Sequence, residues 1–76
     1  MIDLAAIRRA AGLTQMELAA ILGVGQAQIS KVERQDDMLI STLASYLAAL
    51  GVEAKLVVQM GDQVVTYDLT ARKGKR

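Results

Sequence analysis

The segment 13–34, LTQMELAAILGVGQAQISKVER, constrains the fold more than any other part of the chain, because it predicts two short helices joined by a tight turn. Thr14 can accept a hydrogen bond from the first helical turn, and Glu17 can reach back to the amide of Thr14. This pair forms a capping box, a signature of a helix start. Gly23 fits the left-handed residue that follows a helix end. Gly25 then begins the second helix.

The apolar residues of this segment predict how its two helices pack. Leu18, Ala19 and Leu22 form one face of the first helix, and Ile29 and Val32 lie three residues apart on the second. Helices joined by a turn of three or four residues that contains glycine cross steeply. A close crossing needs a small residue at the contact, and Ala19 supplies it.

Two further helices flank this pair. Residues 2–11 predict a helix that Gly12 ends, and Ser41 can cap a helix over residues 42–50 that Gly51 ends. The apolar face of the latter consists of Leu43, Tyr46, Leu47 and Leu50.

The pattern changes to period two in residues 53–69, EAKLVVQMGDQVVTYDL, which predict a β-hairpin with a two-residue Gly61-Asp62 turn. This turn places Lys55 opposite Asp68, and the opposite charges favour the register. The same register pairs Leu56 with Tyr67, Val57 with Thr66, Val58 with Val65, Gln59 with Val64 and Ala54 with Leu69.

Both faces of the predicted hairpin carry aliphatic residues, although a small helical body can cover only one face. An isolated two-stranded ribbon is marginal, and its edges are open to another chain. We therefore expect the hairpin to pair or pack with its copy in a second subunit; the alternative is a hairpin that covers its own core. The candidate dimer residues are Leu56, Val57, Val58, Val64, Val65 and Tyr67.

Composition excludes several classes of function. The 76 residues suffice for one domain and include neither cysteine nor histidine, so disulfides, thiolate catalysis and the usual zinc sites are absent. The sequence shows no pair of carboxylates in an evident cleft that could act in catalysis. We therefore expect no enzyme activity, metal or cofactor. The chain has no signal-peptide pattern and no apolar run of about 20 residues, so we expect a cytoplasmic protein without a membrane span.

The motifs LTQxELA, the GV turn, QxxIS and VER together resemble the Xre/Cro–CI family of helix-turn-helix DNA-binding proteins over residues 4–51. The resemblance implies a four-helix lambda-repressor-like helix-turn-helix domain, and with the hairpin predicted from the period-two pattern we expect a mainly α fold followed by a C-terminal β-hairpin. We expect residues 1–51 to form the DNA-binding domain, 52–70 the dimerisation hairpin and 71–76 a flexible basic tail.

The same resemblance implies that the second helix of the motif enters the major groove of DNA by its N-terminal end. Gln26, Ala27 and Lys31 then lie where the family makes base contacts. Glutamine suits adenine, lysine suits guanine, and an alanine methyl suits the thymine methyl. Gln28 and Ser30 are candidates for base or phosphate contacts. The alternative is an ordinary solvated polar face.

Three further residues are candidates for the phosphate backbone. Gln15 begins a helix, where amides and the helix dipole favour a phosphate, while Arg34 and Thr42 lie beyond the reading end. The family often pairs a basic residue of the first helix with the acid that ends the recognition helix. The resemblance therefore implies that Arg8 and Glu33 form a structural ion pair.

The charge distribution complicates DNA binding. The chain has a formal charge of +1, but residues 71–76 hold four of its nine Lys and Arg, which leaves five against eight Asp and Glu elsewhere, a body of −3. DNA affinity normally depends on phosphate neutralisation. The tail therefore either contacts DNA or a partner, or stays solvated. Its cations are Arg72, Lys73, Lys75 and Arg76.

A short body that ends in a hairpin, without a ligand-sensing domain, resembles the HigA and HipB types of antitoxin. This resemblance implies a homodimer that binds a palindromic operator in double-stranded DNA, represses its own operon and binds a partner toxin. The alternatives are a phage-type repressor, a restriction-modification controller, or a protein-interaction module that no longer binds DNA.

Overall fold

The computed structural model describes residues 2–70, which form four helices and a two-stranded antiparallel hairpin. In chain order the elements are α1 (Leu4–Ala10), α2 (Gln15–Leu22), α3 (Gln26–Arg34), α4 (Ile40–Ala49), β1 (Lys55–Met60) and β2 (Gln63–Asp68). The predicted fold class is confirmed. The basic tail lies outside the described residues. Within residues 2–70, no helix is both long and apolar enough to cross a bilayer.

The start and end of α2 are as the sequence predicts. The amide of Glu17 donates to Thr14 Oγ1 at 3.0 Å, and the amide of Thr14 donates to Glu17 Oε1 at 2.8 Å, so both hydrogen bonds of the capping box are present. Gly23 ends the helix with φ +73°, a left-handed conformation that glycine adopts without steric cost.

The first helix is shorter at both ends than the predicted 2–11. Asp3 is its N-cap, and its Oδ1 accepts a hydrogen bond from the amide of Ala6 at 3.0 Å. A carboxylate at this position satisfies a free amide and also interacts favourably with the positive end of the helix dipole.

The predicted cap of α4 is wrong. The helix begins at Ile40, and Ser41 lies exposed within its first turn, while Leu39 occupies the N-cap position without a side-chain hydrogen bond. Leu43 at the fourth helical position is in the core, and Met38 before the cap is half-buried and packs against the core. This is the arrangement of a hydrophobic staple, and apolar packing rather than a serine cap accounts for the start.

The core lies where the four helices meet. Ala19 is 4% exposed where α2 crosses α3, and the predicted apolar face of α4 is buried in full. The buried apolar residues are Leu4, Leu18, Ala19, Ile29, Val32, Leu43, Tyr46, Leu47 and Leu50.

The hairpin has the predicted register, from Lys55 opposite Asp68 to Met60 opposite Gln63. At its base the amide of Leu69 donates to the carbonyl of Ala54 at 2.9 Å, and both side chains pack against the core. All residues of β1 and β2 are exposed. The two strands therefore project from the helical body and leave most of their apolar surface uncovered.

Candidate nucleic-acid interface

The third helix presents its polar side to solvent because its apolar side is fully used by the core. Ile29 and Val32 are buried, whereas Gln26, Ala27 and Lys31 are exposed. Gly25 is the N-cap and makes no side-chain hydrogen bond to the first amides of the helix. The N-terminal end of α3 is thus the part of the helix that another molecule can reach.

Arg8 and Glu33, the expected ion pair, are in contact in a nearly buried position. Arg8 Nε donates to Glu33 Oε2 at 2.7 Å, and the two side chains are only 9% and 6% exposed. Arg8 Nη1 also donates to the carbonyl of Leu13 at 2.9 Å. The pair connects α1 to the end of α3 and holds the loop before α2.

The hydroxyl of Tyr46 joins the Arg8–Glu33 pair, and sequence reasoning missed this contact. We call Arg8, Glu33 and Tyr46 the Glu33 cluster. Tyr46 is 2% exposed, and its hydroxyl lies within hydrogen-bond distance of Glu33 Oε2 and of the carbonyl of Leu4, 3.2 Å away. The sequence places Tyr46 on an apolar helical face. The available signal was chemical, since a buried tyrosine hydroxyl usually needs a hydrogen-bond partner.

These contacts fix the protonation states of the cluster. Burial acts to raise the pKa of Glu33, but hydrogen bonds from Arg8, Tyr46 and Gln15 outweigh it, so the pKa lies below its ordinary value of 4.5. Burial, and then the nearby Glu33 carboxylate, raise the pKa of Tyr46. The hydrogen bond to Glu33 raises the pKa of Arg8. At neutral pH the cluster is therefore an ionised carboxylate surrounded by protonated donors.

A chain of hydrogen bonds leads from this cluster to the exposed end of α3. Gln15 Nε2 donates to Glu33 Oε1 at 2.9 Å, and Gln26 Nε2 donates to Gln15 Oε1 at 3.2 Å. Gln15, expected at a phosphate, is thus also held inside the protein. Because an amide nitrogen carries two hydrogens, Gln15 Nε2 retains one donor beyond its bond to Glu33.

The remaining candidates are divided between two places. Arg34 Nη1 donates to Ser30 Oγ one turn earlier on α3, so these two side chains act as a pair. Gln28 and Thr42 both line an open groove of about 260 Å³ between α3, the turn before it and α4. Its lining also includes the buried Ile29 and Val32 and the exposed Val24. The structure thus brings Gln15 and Gln26 together, and separately Gln28 and Thr42.

The hairpin candidates form a second exposed region. The exposed fraction is 44% for Leu56, 42% for Val58, 50% for Val65 and 61% for Tyr67, all on one face of the hairpin. Val57 and Val64 lie on the opposite face among polar residues. No group of three or more potential metal ligands occurs within the described residues.

The lowered pKa of Glu33 predicts a specific pH dependence of stability. A group whose pKa is lower in the folded state contributes stability above its unfolded value, and loses it as the pH falls through the folded value. Glu33→Gln should lower the free energy of unfolding at pH 7 by about 3–5 kcal/mol, since it leaves Arg8 buried without its charge partner. The variant should also lose less stability than the parent below pH 4.5. Urea unfolding followed by circular dichroism at fixed chain concentration measures both effects.

Glu53→Gln is the matched control, because it changes the same group at an exposed position. It should shift the free energy of unfolding by less than about 0.5 kcal/mol. Equal effects of the two substitutions would contradict the role assigned to Glu33.

Comparison with known proteins agrees with this geometry. A family profile described as a helix-turn-helix domain, HTH_37, matches residues 1–59. A Mycobacterium tuberculosis protein named as antitoxin HigA3 is 42% identical over 71 residues, which are 90% of this chain and 63% of the relative. The antitoxin named HigA2 of the same organism is 36% identical over 62 residues, 79% of this chain and 61% of the relative. The chain therefore spans less than two thirds of the length of these two relatives.

Two solved structures resemble the fold along nearly its whole length. A DNA-bound antitoxin HigA3 has a TM-score of 0.79 and 39% identity, covering 96% of this chain and 95% of that one. A HigA antitoxin described as showing induced DNA bending by unique dimerization has a TM-score of 0.76 and 40% identity, with coverage of 93% and 92%. The chain belongs to the helix-turn-helix domain family and, within it, to the HigA-type antitoxins.

Proposed function

We propose that this chain is an antitoxin-type transcriptional regulator that binds a palindromic operator as a homodimer, represses its own operon and binds a partner toxin. One observation carries the DNA-binding part of the proposal. The exposed N-terminal end of α3 displays Gln26, and hydrogen bonds through Gln15 tie this side chain to the buried Glu33. A reading side chain held in place before binding loses less conformational freedom when it binds.

The base contacts in this proposal are Gln26, Ala27 and Lys31. All three are exposed: Gln26 begins α3, and Ala27 and Lys31 lie on the side of the helix opposite Ile29 and Val32. With Gln26 Nε2 donating to Gln15, its Oε1 and remaining hydrogen are available for the edge of an adenine. Lys31 lies more than one turn further along, where it suits a guanine.

The phosphate contacts in this proposal are Gln15, Arg34 and Thr42, with Gln28 and Ser30 available to either base or backbone. Gln15 begins α2 and Thr42 lies in the first turn of α4. Both therefore lie at helix N-termini, where unpaired amides and the helix dipole favour an anion. Arg34 supplies a full positive charge from the end of α3.

The charge balance of the chain supports DNA binding by two copies rather than one. Residues 1–70 carry five Lys and Arg against eight Asp and Glu, and one of the five, Arg8, is already paired with Glu33. One copy thus has few free cations for phosphate neutralisation. Two copies joined by a two-fold axis would read two half-sites and double the contacts on one DNA molecule. The HigA structure described by its unique dimerization supports a dimer in this group.

We place the dimer contact on the hairpin, residues 52–70, and mainly on the face of Val58 and Val65. The base of this face, Ala54 and Leu69, packs against the core, so the apolar surface is continuous from the core to the exposed strands. The opposite face mixes Val57 and Val64 with charged and polar side chains. Exposed contiguous apolar surface of this kind is typical of a protein interface.

The proposal includes no catalytic activity, since the chain contains neither histidine nor cysteine. The proposal also includes a cytoplasmic location, since operator binding requires access to the DNA. The names of the relatives, which are antitoxins, support a toxin partner.

Removing the reading side chains should abolish specific DNA binding without unfolding the protein. Gln26→Ala and Lys31→Ala together should weaken binding to the duplex that the parent selects by about 1–3 kcal/mol for each base that is no longer read. Fluorescence anisotropy at constant salt measures the affinity, and thermal unfolding checks the fold. Gln35→Ala with Arg9→Ala is the control, since it removes an exposed amide and an exposed cation outside the proposed base contacts and the hairpin. Equal affinities of the Gln26/Lys31 variant and the parent would refute the base contacts.

Charge on the apolar face of the hairpin should separate the subunits. Light scattering should give the mass of two chains for the parent, and of one chain for Val58→Lys with Val65→Lys, because the dimer would bury four lysines against each other. Gln59→Lys with Thr66→Lys places the same charges on the opposite face and should leave the dimer intact. A monomeric parent contradicts the dimer, and dissociation only in the control pair contradicts the choice of face.

A further inference from the structure

The second helix is apolar on the side that faces away from the core. Leu18 and Ala19 are buried, yet Met16 is 67% exposed and Ile21 is 57% exposed. Ala20 is exposed one turn after Met16. A surface helix of a globular domain normally carries polar residues on its outer side. We call these three residues, Met16, Ala20 and Ile21, the α2 strip.

The α2 strip is separate from both surfaces used by the proposed function. The inner side of α2 packs against α3 and α4, so its outer side points away from both helices. The hairpin interface belongs to β1 and β2, and neither strand packs closely against α2. Neither DNA reading by α3 nor dimerisation through the hairpin therefore accounts for this exposed apolar surface.

A fixed negative charge interrupts the α2 strip. Glu17 lies one turn before Ile21, and its Oε1 accepts the Thr14 amide at 2.8 Å, so the capping box holds the carboxylate in place. Apart from α3, the exposed charged residues of the described part of the chain are seven acidic and two basic, Arg9 and Lys55. The acidic residues are Asp3, Glu17, Asp36, Asp37, Glu53, Asp62 and Asp68.

The apolar α2 strip, the Glu17 carboxylate and the acidic surface around them together indicate which kind of molecule can bind there. A second copy of the chain on the α2 strip would bring two Glu17 carboxylates and two acidic surfaces together, and like charges facing each other oppose association. A positively charged protein meets the opposite situation, because its apolar side chains can cover Met16 and Ile21 while a lysine or arginine pairs with Glu17. Electrostatic attraction would also speed the encounter.

We infer that the α2 strip is the docking surface for a cationic partner protein, with Met16 and Ile21 as apolar anchors and Glu17 as the charge contact. The inference rests on the proposed antitoxin function, in which that partner is the toxin. The surface leaves the reading end of α3 free, so one chain can hold the partner and DNA together.

The test uses the full chain and the product of the reading frame adjacent to its gene. The two proteins are co-expressed and separated, and their binding affinity is measured by titration calorimetry. Met16→Lys with Ile21→Lys should weaken binding about 30-fold or more, the effect expected when interface anchors are removed. Both positions are exposed, so the variant should keep the parent's unfolding temperature, its dimer mass and its binding to the selected duplex. Glu17→Gln, which keeps the capping box, should weaken binding less and reduce its salt dependence.

Leu39→Lys with Ile40→Lys is the control, because these residues are 71% and 51% exposed, lie outside the α2 strip and receive the same two charges. An equal drop in affinity in this control, or unchanged affinity in the Met16/Ile21 variant, would overturn the docking surface while leaving the antitoxin function intact. An adjacent product that does not bind the parent chain, or the absence of an adjacent frame, would instead refute the toxin partner itself. A lower dimer mass in the Met16/Ile21 variant would assign the α2 strip to a second copy and overturn the inference.

Discussion

The Glu33 carboxylate is the point at which all four helices meet chemically. It ends α3 and receives hydrogen bonds from Arg8 of α1, Gln15 of α2 and Tyr46 of α4. An ionised carboxylate that is only 6% exposed would be very costly without partners. The cost is offset only when the other three helices stand in their native positions. This one group therefore couples the orientation of α3 to the packing of the rest of the domain.

This coupling matters because α3 has little else to fix its polar side. Its buried side offers Ile29 and Val32, and its first turn has no side-chain cap. Apolar contacts allow small rotations and shifts, whereas hydrogen bonds to a buried charge are directional. The connection through Gln15 extends this restraint to Gln26, which is eleven residues from Gln15 in the chain and begins the proposed reading surface. Structural and reading residues thus belong to one network.

The sequence predicted most of the fold because its local signals agree with the tertiary structure. The capping box at Thr14, the left-handed glycine at position 23 and the complete hairpin register are all confirmed. These features depend on residues close in the chain or on a two-residue turn. The cap of α4 was wrong because apolar packing by Met38 and Leu43 outweighs the local preference of a serine.

The cluster was harder to predict because it depends on distant residues. The Arg8–Glu33 contact was predicted from a family resemblance rather than from residue spacing. No sequence pattern indicated the hydrogen bonds of Tyr46 and Gln15 to Glu33. The position of a side chain on an apolar stripe shows that it is buried, but it does not show which polar group lies beside its hydroxyl. The proposed DNA contacts and hairpin dimer are predictions that depend on a bound partner.

Selection of bound sites from a random pool of double-stranded DNA examines reading by α3 and dimerisation together in one experiment. We predict enrichment of a palindrome whose half-sites are centred about 10–10.5 base pairs apart, or a multiple of this, as expected for two copies of α3 on one side of the duplex. Enrichment of a single unpaired half-site would contradict the dimer. Failure to enrich any sequence would contradict the claim that this helix reads DNA.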